Sequence, residues 1–238
     1  ILRDVLKDYK VTMVFCYDGE NAKQSRLEIL PTYKGNRTKG DFNPIPDVKE
    51  VLKLWDGIHV EQAGREGDDA VAACVKMRKG KPCIIFSGDL DFSYQLANPC
   101  CQVYSPNKKG FLNAIDLMEH YHLDNNPKNV PLAKALFGDT SDNIVGCKRL
   151  LKKQVAGLIN DPSVTTPEDF YGKLVTKPDG MTDNTYNKLM ENKEQVFKNY
   201  QVIIPQLDFD KESFTVVKWN VMKLKEKLME YECKSVMD

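Results

Sequence analysis

Between residues 11 and 137 the sequence alternates short apolar runs with amphipathic segments, and this alternation limits the possible folds more than any other feature. The runs Val11–Tyr17 and Pro82–Phe86 are short and rich in β-branched or aromatic residues, as in strands that are buried on both faces. Segments with helical spacing lie between them, at 47–55 and 66–77. Strands that alternate with helices predict an α/β fold with a parallel central sheet flanked by helices.

The two ends of the chain have a different pattern. Residues 2–9 carry apolar side chains at helical spacing, and after Lys148 we expect helices at about 148–160, 167–175, 183–200 and 219–231. We therefore divide the chain into an α/β core at 1–124 and a helical region at 125–238.

Carboxylates follow the predicted strands. Asp18 comes directly after the first apolar run, and Asp89 and Asp91 come after the second. Open α/β sheets bind their ligands at the carboxyl ends of the strands. The remaining acidic residues of this kind are Glu66, Asp68 and Asp69 at a helix start, and Asp139 and Asp142 in a later loop. We expect all these groups to meet in space.

Crowded carboxylates repel one another unless a cation lies among them. A single acid at a helix start is explained by the helix dipole, but three acids between Glu66 and Asp69 exceed that need. All-oxygen ligation suits Mg²⁺ or Mn²⁺ rather than zinc. Two such ions about 4 Å apart activate water and stabilise the leaving oxygen of a phosphodiester. The sequence therefore predicts metal-dependent cleavage of nucleic acid.

Residues for other chemistries are missing. The seven cysteines form no C-x-x-C pair, which argues against a zinc ribbon. Their number is odd and several lie in apolar runs, which suits a reducing compartment. The sequence has no phosphate-binding loop of an ATPase, and its three histidines show no metal-ligand spacing. The net charge of zero says nothing in favour of nucleic acid. Since no apolar run reaches the length of a membrane span, we expect a cytoplasmic protein without membrane contact.

Four motifs then occur in a recognisable order. They are Tyr33-Lys34-Gly35-Asn36-Arg37, Glu66-Gly67-Asp68-Asp69-Ala70, Ser87-Gly88-Asp89-Leu90-Asp91 and the segment from Gly138 to Gly146. In order and spacing they resemble the 5′ nuclease superfamily, which includes bacteriophage 5′-3′ exonucleases and flap endonucleases and the 5′ nuclease domain of bacterial DNA polymerase I. The segment from Arg26 to Pro31 is similar to the bacteriophage version, which would place the protein in a bacterial host cell.

The resemblance implies a PIN-like core, a helical arch or clamp at about 20–56, and a helix-hairpin-helix-like DNA-binding region near the C-terminus. It implies a first metal site of Glu66, Asp68, Asp89 and Asp91 with Asp18 and Asp69 beside it, and a second site of Asp139 and Asp142. The implied catalytic residues are Lys34, Arg37, Asp68 and Asp89. The implied DNA-binding residues are Arg26, Tyr33, Lys34, Arg37, Lys148, Arg149, Lys152 and Lys153.

Simpler interpretations of the basic residues stay open. The loop around Lys34 and Arg37 interleaves basic and aromatic residues, which suits the binding of a nucleic-acid strand. The same composition also fits a mobile basic surface loop. Both residues can bind the DNA backbone without a part in catalysis. The run from Lys148 to Lys153 can likewise be a solvated helix face.

Two features depart from the family. A first strand with an early metal-site aspartate would lie ahead of Ile1, so we expect either that an N-terminal piece is missing or that the strand is supplied elsewhere. The glycine-rich turn before the basic helix is shortened at Gly146-Cys147, which leaves the family's K⁺ site in question.

These observations lead to one functional prediction and two alternatives. We predict a 5′-3′ exonuclease and flap endonuclease with two Mg²⁺ ions, for which Mn²⁺ can substitute. Its partners would be DNA with 5′ ends or flaps and RNA–DNA primer junctions, and we expect a monomer that works with replication proteins. The alternatives are a catalytically inactive branched-DNA-binding module and a related metal-dependent ribonuclease.

Overall fold

The computed structural model describes residues 11–37, 44–124 and 126–231. The helix expected at 2–9 and the part of the expected arch at 38–43 lie outside these residues. By packing, the described chain forms two units. The first contains residues 11–23, 44–73 and 206–231, and the second contains residues 24–37, 74–124 and 126–205. The boundary predicted from the sequence, at residue 124, falls inside the second unit. The division into a nuclease core and a DNA-binding region stays a prediction.

The strands and helices are short. The strands are β1 (Val14–Cys16), β2 (Gly57–Val60), β3 (Cys83–Phe86), β4 (Cys101–Ser105), β5 (Gly110–Phe111) and β6 (Phe214–Val217). The α-helices are α1 (Gln24–Ile29), α2 (Ile45–Leu52), α3 (Gly67–Met77), α4 (Ala114–Tyr121), α5 (Val130–Phe137), α6 (Lys152–Ile159), α7 (Pro167–Gly172), α8 (Asp183–Glu191), α9 (Lys193–Ile203) and α10 (Val221–Glu230). Short 3₁₀ helices lie at Leu90–Ala97, Pro127–Asn129 and Lys211–Ser213.

The first unit contains a sheet with the strand order β1-β2-β6. β1 and β2 are parallel, and β6 joins the other side of β2 in the antiparallel direction. The prediction of helices alone after Lys148 is therefore wrong, because pairing with β2 supplies the hydrogen bonds that the four residues of β6 lack by themselves. The prediction that the first strand is buried on both faces is also wrong. Among the described strands β1 lies at an edge, and its Val14 is 40% exposed.

The second unit contains a sheet with the strand order β3-β4-β5. β3 and β4 are parallel, and β5 is antiparallel to β4. Directly beyond β3, the side chain of Asp89 accepts a hydrogen bond from the backbone N–H of Asp91 at 2.9 Å and caps the 3₁₀ helix Leu90–Ala97. This cap places Asp91 in the first helical turn beyond the strand.

A helical core supports the second unit. α5 is apolar on all sides except at Lys134, and every residue from Val130 to Leu136 is buried. It packs in one cluster with buried residues of the later helices, such as Phe170 and Leu189. Asn199 of α9 donates hydrogen bonds to the carbonyls of Ala135 and Val145, at 3.0 and 2.9 Å. These bonds hold both ends of the segment that follows α5.

The predicted α/β class is confirmed, with parallel strand pairs and many helices. The described sheets differ from a purely parallel sheet, since each parallel pair carries an antiparallel strand. The helix predicted at 148–160 begins only at Lys152, because Arg149 has a left-handed backbone with φ of 57° that a helix does not continue. The helix predicted at 183–200 is two helices that meet at Asn192. Within the described residues, none of the helices combines the length and apolar character needed to span a membrane.

Candidate active site

Three carboxylates form the centre of the candidate site in the second unit. Asp91, Asp139 and Asp142 each place one oxygen within 4.8 Å of the others. Asp91 comes from the turn beyond β3, and the other two come from the loop after α5. Of the carboxylates expected to meet, these three therefore do so. Asp89 is exposed, and its carboxylate serves as the cap of the 3₁₀ helix.

Backbone geometry presents Asp139 and Asp142 on a tight turn. Asp139 and Ile144 exchange two backbone hydrogen bonds of 2.8 Å, which closes a small antiparallel bridge. The turn requires glycine at both ends, because a Cβ on Gly146 would lie 2.2 Å from the backbone nitrogen of Gly138. Asp139 Oδ1 accepts hydrogen bonds from the backbone N–H and the hydroxyl of Ser141, at 2.8 and 2.6 Å. The two carboxylates are thus held by local structure.

Lys134 supplies a buried positive charge to this cluster. Its side chain is 6% exposed and forms ion pairs with Asp91 and with Asp139, the latter at 2.6 Å. Sequence reasoning did not identify this residue. The available signal was a single lysine in an otherwise apolar helix, since a buried ammonium group requires a charged partner.

The pKa shifts follow from this arrangement. Burial lowers the pKa of Lys134, but Asp91 and Asp139 outweigh that effect and hold the pKa above its ordinary value. Burial raises the pKa of Asp139, but Lys134 and Ser141 outweigh it and bring the pKa below its ordinary value. For Asp91 burial prevails over Lys134, and its pKa is raised. The lysine is therefore a cation, and Asp139 is an anion, at neutral pH.

This arrangement corrects one step of the sequence argument. Crowded carboxylates do not by themselves require a metal here, because Lys134 and Arg37 already provide positive charge. The donor set nevertheless fits a hard divalent cation. Three carboxylate oxygens at short mutual distance are the ligands that Mg²⁺ and Mn²⁺ prefer.

The Tyr33–Arg37 segment packs directly on the turn that carries Asp142. The backbone N–H of Lys34 donates to the carbonyl of Asp142 at 2.8 Å, and Asn36 Nδ2 donates to the carbonyl of Thr140 at 2.7 Å. The Arg37 guanidinium binds Asp142 Oδ1 at 2.6 Å and remains 51% exposed. Lys34 Nζ lies 4.0 Å from Asp142 Oδ2. Lys34 and Arg37 therefore lie beside the carboxylates, as the resemblance implies.

Two predicted DNA contacts are instead buried. Arg26 is 2% exposed, and its Nε donates to the carbonyl of Val202 at 2.8 Å. Tyr33 is 4% exposed, and its hydroxyl faces Asp142 Oδ2 at 3.5 Å. A buried guanidinium does not reach a phosphate, and a buried ring does not stack on a base. The structure favours structural roles for both residues.

The remaining predicted ligands lie in the first unit. Asp18 Oδ1 accepts a hydrogen bond from the backbone N–H of Gly67 at 2.7 Å, while Asp68 is exposed. Asp69 is fully buried, and its two oxygens accept backbone N–H groups of Glu66 and Gln206, at 3.0 and 2.8 Å. Backbone hydrogen bonding thus explains Asp69 without a metal. The meeting of this acidic group with Asp91, Asp139 and Asp142 stays a prediction.

The basic residues after the turn face solvent. Lys148, Arg149, Lys152 and Lys153 are all exposed. Lys152 Nζ also lies 5.1 Å from the ring centre of Phe137. Their exposure suits contact with phosphates and equally suits a solvated surface, so their role as DNA-binding residues stays a prediction.

Comparisons with known proteins also indicate a nuclease. The family model described as 5′-3′ exonuclease, N-terminal resolvase-like domain, matches residues 1–122. DNA polymerase I of Caldicellulosiruptor bescii is 30% identical over 97% of this chain, which spans 27% of that protein. The 5′-3′ exonuclease of Aquifex aeolicus is 26% identical over 98% of this chain, which spans 79% of that protein.

Solved structures share the fold. The flap endonuclease of bacteriophage T5, in a complex with DNA and metal ions, is 21% identical with a TM-score of 0.66, and the match covers 85% of this chain and 76% of the other. The T5 5′-exonuclease with bound zinc ions gives a TM-score of 0.67 at 22% identity, again over 85% of this chain and 76% of the other.

Proposed function

This chain belongs to the 5′-3′ exonuclease family, and from that premise we propose that it is a metal-dependent 5′-3′ exonuclease and flap endonuclease. The proposed substrates are DNA with 5′ ends or flaps and RNA–DNA primer junctions, which arise in DNA replication. The observation that carries the proposal is the cluster of Asp91, Asp139 and Asp142 with Lys34 and Arg37 beside it.

We propose Mg²⁺ as the metal, with Mn²⁺ as a substitute. Asp139 and Asp142 belong to the second site, and Asp91 lies close enough to both to share it. The first site would contain Glu66, Asp68, Asp89 and Asp91, with Asp18 and Asp69 beside them. When bound, the ions supply an activated water molecule and neutralise charge on the leaving oxygen.

The protein's own side chains have separate tasks in this proposal. Lys134 limits the repulsion between Asp91 and Asp139, so that both carboxylates can be held close together before a metal arrives. Arg37 is half-exposed and can exchange Asp142 for a phosphate oxygen, because guanidinium groups bind both anions in the same bidentate manner. Lys34 stabilises charge that develops on the same phosphate.

Duplex DNA would contact the exposed basic residues after the turn. Positive charge is concentrated on one short stretch of chain, at Lys148, Arg149, Lys152 and Lys153. Each contact of such a residue with a phosphate strengthens binding and makes the DNA affinity fall more steeply as the salt concentration rises. We also propose that 125–238 acts as the helix-hairpin-helix-like DNA-binding region, that the protein is a cytoplasmic monomer, and that replication proteins are its partners. A K⁺ site in this region stays open.

The test is cleavage of a 5′-labelled flap duplex and a matching blunt duplex, in Mg²⁺ and in EDTA. We expect Mg²⁺-dependent cutting near the flap junction that yields a 5′ phosphate. Asp139→Asn and Asp68→Asn should remove most of the cleavage and leave DNA binding largely intact. Wild-type rates in either variant would remove that residue from the mechanism.

The same assay separates the alternatives. A branched-DNA-binding module would hold the flap equally well in EDTA and would not cut it in Mg²⁺. A ribonuclease would cut a flap made of RNA and spare the same flap made of DNA. Either result would refute the proposed function.

A further inference from the structure

Tyr121 is a buried residue that contacts the acidic cluster through Asp91. It is the last residue of α4, is 8% exposed, and belongs to the same core cluster as Leu123 and Val130. Its hydroxyl donates a hydrogen bond to Asp91 Oδ1 at 3.3 Å. We propose that Tyr121 is a positioning residue that orients Asp91 for a divalent cation, an inference that rests on the proposed metal-dependent function.

The contacts of Asp91 explain why one hydroxyl matters. Lys134 binds Asp91 Oδ2 and Tyr121 binds Oδ1, so each oxygen has a partner from a different element. The terminal torsion of an aspartate is soft, and two donors at different oxygens define the plane of the carboxylate. With Lys134 alone, the carboxylate can turn about that single contact.

The other two carboxylates of the cluster are held in the same way. Asp139 Oδ1 is bound by Ser141 and its Oδ2 by Lys134. Asp142 Oδ1 is bound by Arg37, with Tyr33 at Oδ2. Each ligand oxygen thus has a protein partner that fixes its direction, which is the usual arrangement around a metal site. Tyr121 fills this place for Asp91.

The position of the tyrosine suits this role. Its ring packs in the core, so the hydroxyl has little freedom to leave Asp91. A tyrosine hydroxyl is ordinarily protonated at neutral pH, so it is available to donate a hydrogen bond to Asp91.

The test is Tyr121→Phe, which removes the hydroxyl and keeps the ring. Tyr171→Phe is the matched control, because Tyr171 is also buried and donates its hydroxyl to a backbone carbonyl, that of Leu189, at 2.9 Å. Binding of Mn²⁺ alone is measured by electron paramagnetic resonance on the full chain. We expect Tyr121→Phe to weaken binding about 10- to 100-fold and the control to equal the wild type. Equal Mn²⁺ affinity in Tyr121→Phe and wild type would overturn the proposal.

Cleavage of the flap duplex supplies a second measurement. The Mg²⁺ concentration for half-maximal rate should rise by the same factor in Tyr121→Phe, and saturating Mg²⁺ should restore most of the rate. A lowered rate with an unchanged Mg²⁺ midpoint would refute positioning through Asp91. If the wild type binds Mn²⁺ but cuts neither DNA nor RNA flaps, the proposed function fails while the loss of Mn²⁺ affinity in Tyr121→Phe still supports the role of Tyr121.

A third measurement keeps the tyrosine in place and serves if Tyr121→Phe does not fold. The ¹³Cζ resonance of Tyr121 reports on the state of its hydroxyl group. We expect it to shift in Asp91→Asn, whereas the resonance of Tyr171 should not move. An unshifted Tyr121 resonance would show that the hydroxyl and Asp91 are not coupled.

Discussion

Replacing Lys134 by methionine tests how the acidic cluster is held together. Methionine approximates the length and apolar stem of lysine and removes the ammonium group, with its charge and its hydrogen-bond donors. In the structure this charge lies between Asp91 and Asp139 on a side chain that is 6% exposed. Removing one partner of a buried ion pair leaves uncompensated charge, which costs about 3–5 kcal/mol. We expect about 3 kcal/mol, the low end of that range, because Asp91 keeps 36% of its side chain exposed.

The loss of stability in Lys134→Met should depend on pH in a defined direction. Lys134 holds the pKa of Asp139 below its ordinary value. The pair therefore stabilises the fold fully at a pH above the ordinary pKa of an aspartate, and this stabilisation is lost as the pH falls through the lowered pKa of the folded protein. The raised pKa of Lys134 keeps the lysine charged until strongly alkaline pH. The free energy of unfolding of Lys134→Met should therefore fall furthest below that of the wild type near neutral pH. The difference should shrink below about pH 4, where aspartates become protonated.

Thermal and urea unfolding measure this effect. A loss of about 3 kcal/mol corresponds to a fall of about 6–12 °C in Tm for a chain of this size. Added Mn²⁺ should narrow the gap, because it binds the folded state and replaces the missing charge. Lys177→Met is the control, since Lys177 pairs at 2.5 Å with Asp183, whose side chain is 83% exposed, and such pairs contribute at most about 1 kcal/mol.

The reasoning about Lys134 would be refuted by either of two results. One is a Lys134→Met protein as stable as wild type at neutral pH. The other is a loss of stability that stays the same in acid and in Mn²⁺, which would indicate a packing defect rather than lost charge.

Other changes separate structural from functional residues. Gly146→Ala should cost more than about 2 kcal/mol in urea unfolding, because its Cβ would meet the backbone of Gly138 at 2.2 Å; Gly172→Ala, where the Cβ meets nothing within 4 Å, should be neutral or stabilising, and equal effects would contradict this account of the turn. Arg26→Met should lower Tm and leave the flap-DNA affinity of the folded protein unchanged; a selective loss of affinity would restore Arg26 as a DNA contact. Arg37→Ala should change stability by less than about 1 kcal/mol and slow single-turnover cleavage, and an unchanged rate would limit Arg37 to backbone binding.

The sequence alone was informative wherever chemistry is local. The alternation of apolar runs and helical segments predicted the α/β class, because strand and helix periods are properties of neighbouring residues. The placement of Asp91 just beyond β3 and the pairing of Asp139 with Asp142 on one turn were likewise predictable. Both depend on short-range features, a strand end and a glycine-bounded turn.

Some elements differ from the sequence-based prediction because they depend on partners that are distant in the chain. β6 forms through its pairing with β2, whose partner residues lie 154 to 160 positions earlier in the chain. Nothing in four residues of β-branched and aromatic sequence specifies such a partner, and an isolated strand of that length has no stability of its own.

Burial and charge compensation were decided by the tertiary structure alone. Arg26 and Tyr33 read as exposed nucleic-acid contacts in sequence, yet packing within the second unit covers both. Lys134 and Tyr121 gave no motif, because their roles come from contacts with Asp91, which lies 43 and 30 residues away. Residue types and local spacing determined which carboxylates are present. Which donors hold those carboxylates depends on side chains that only folding brings together.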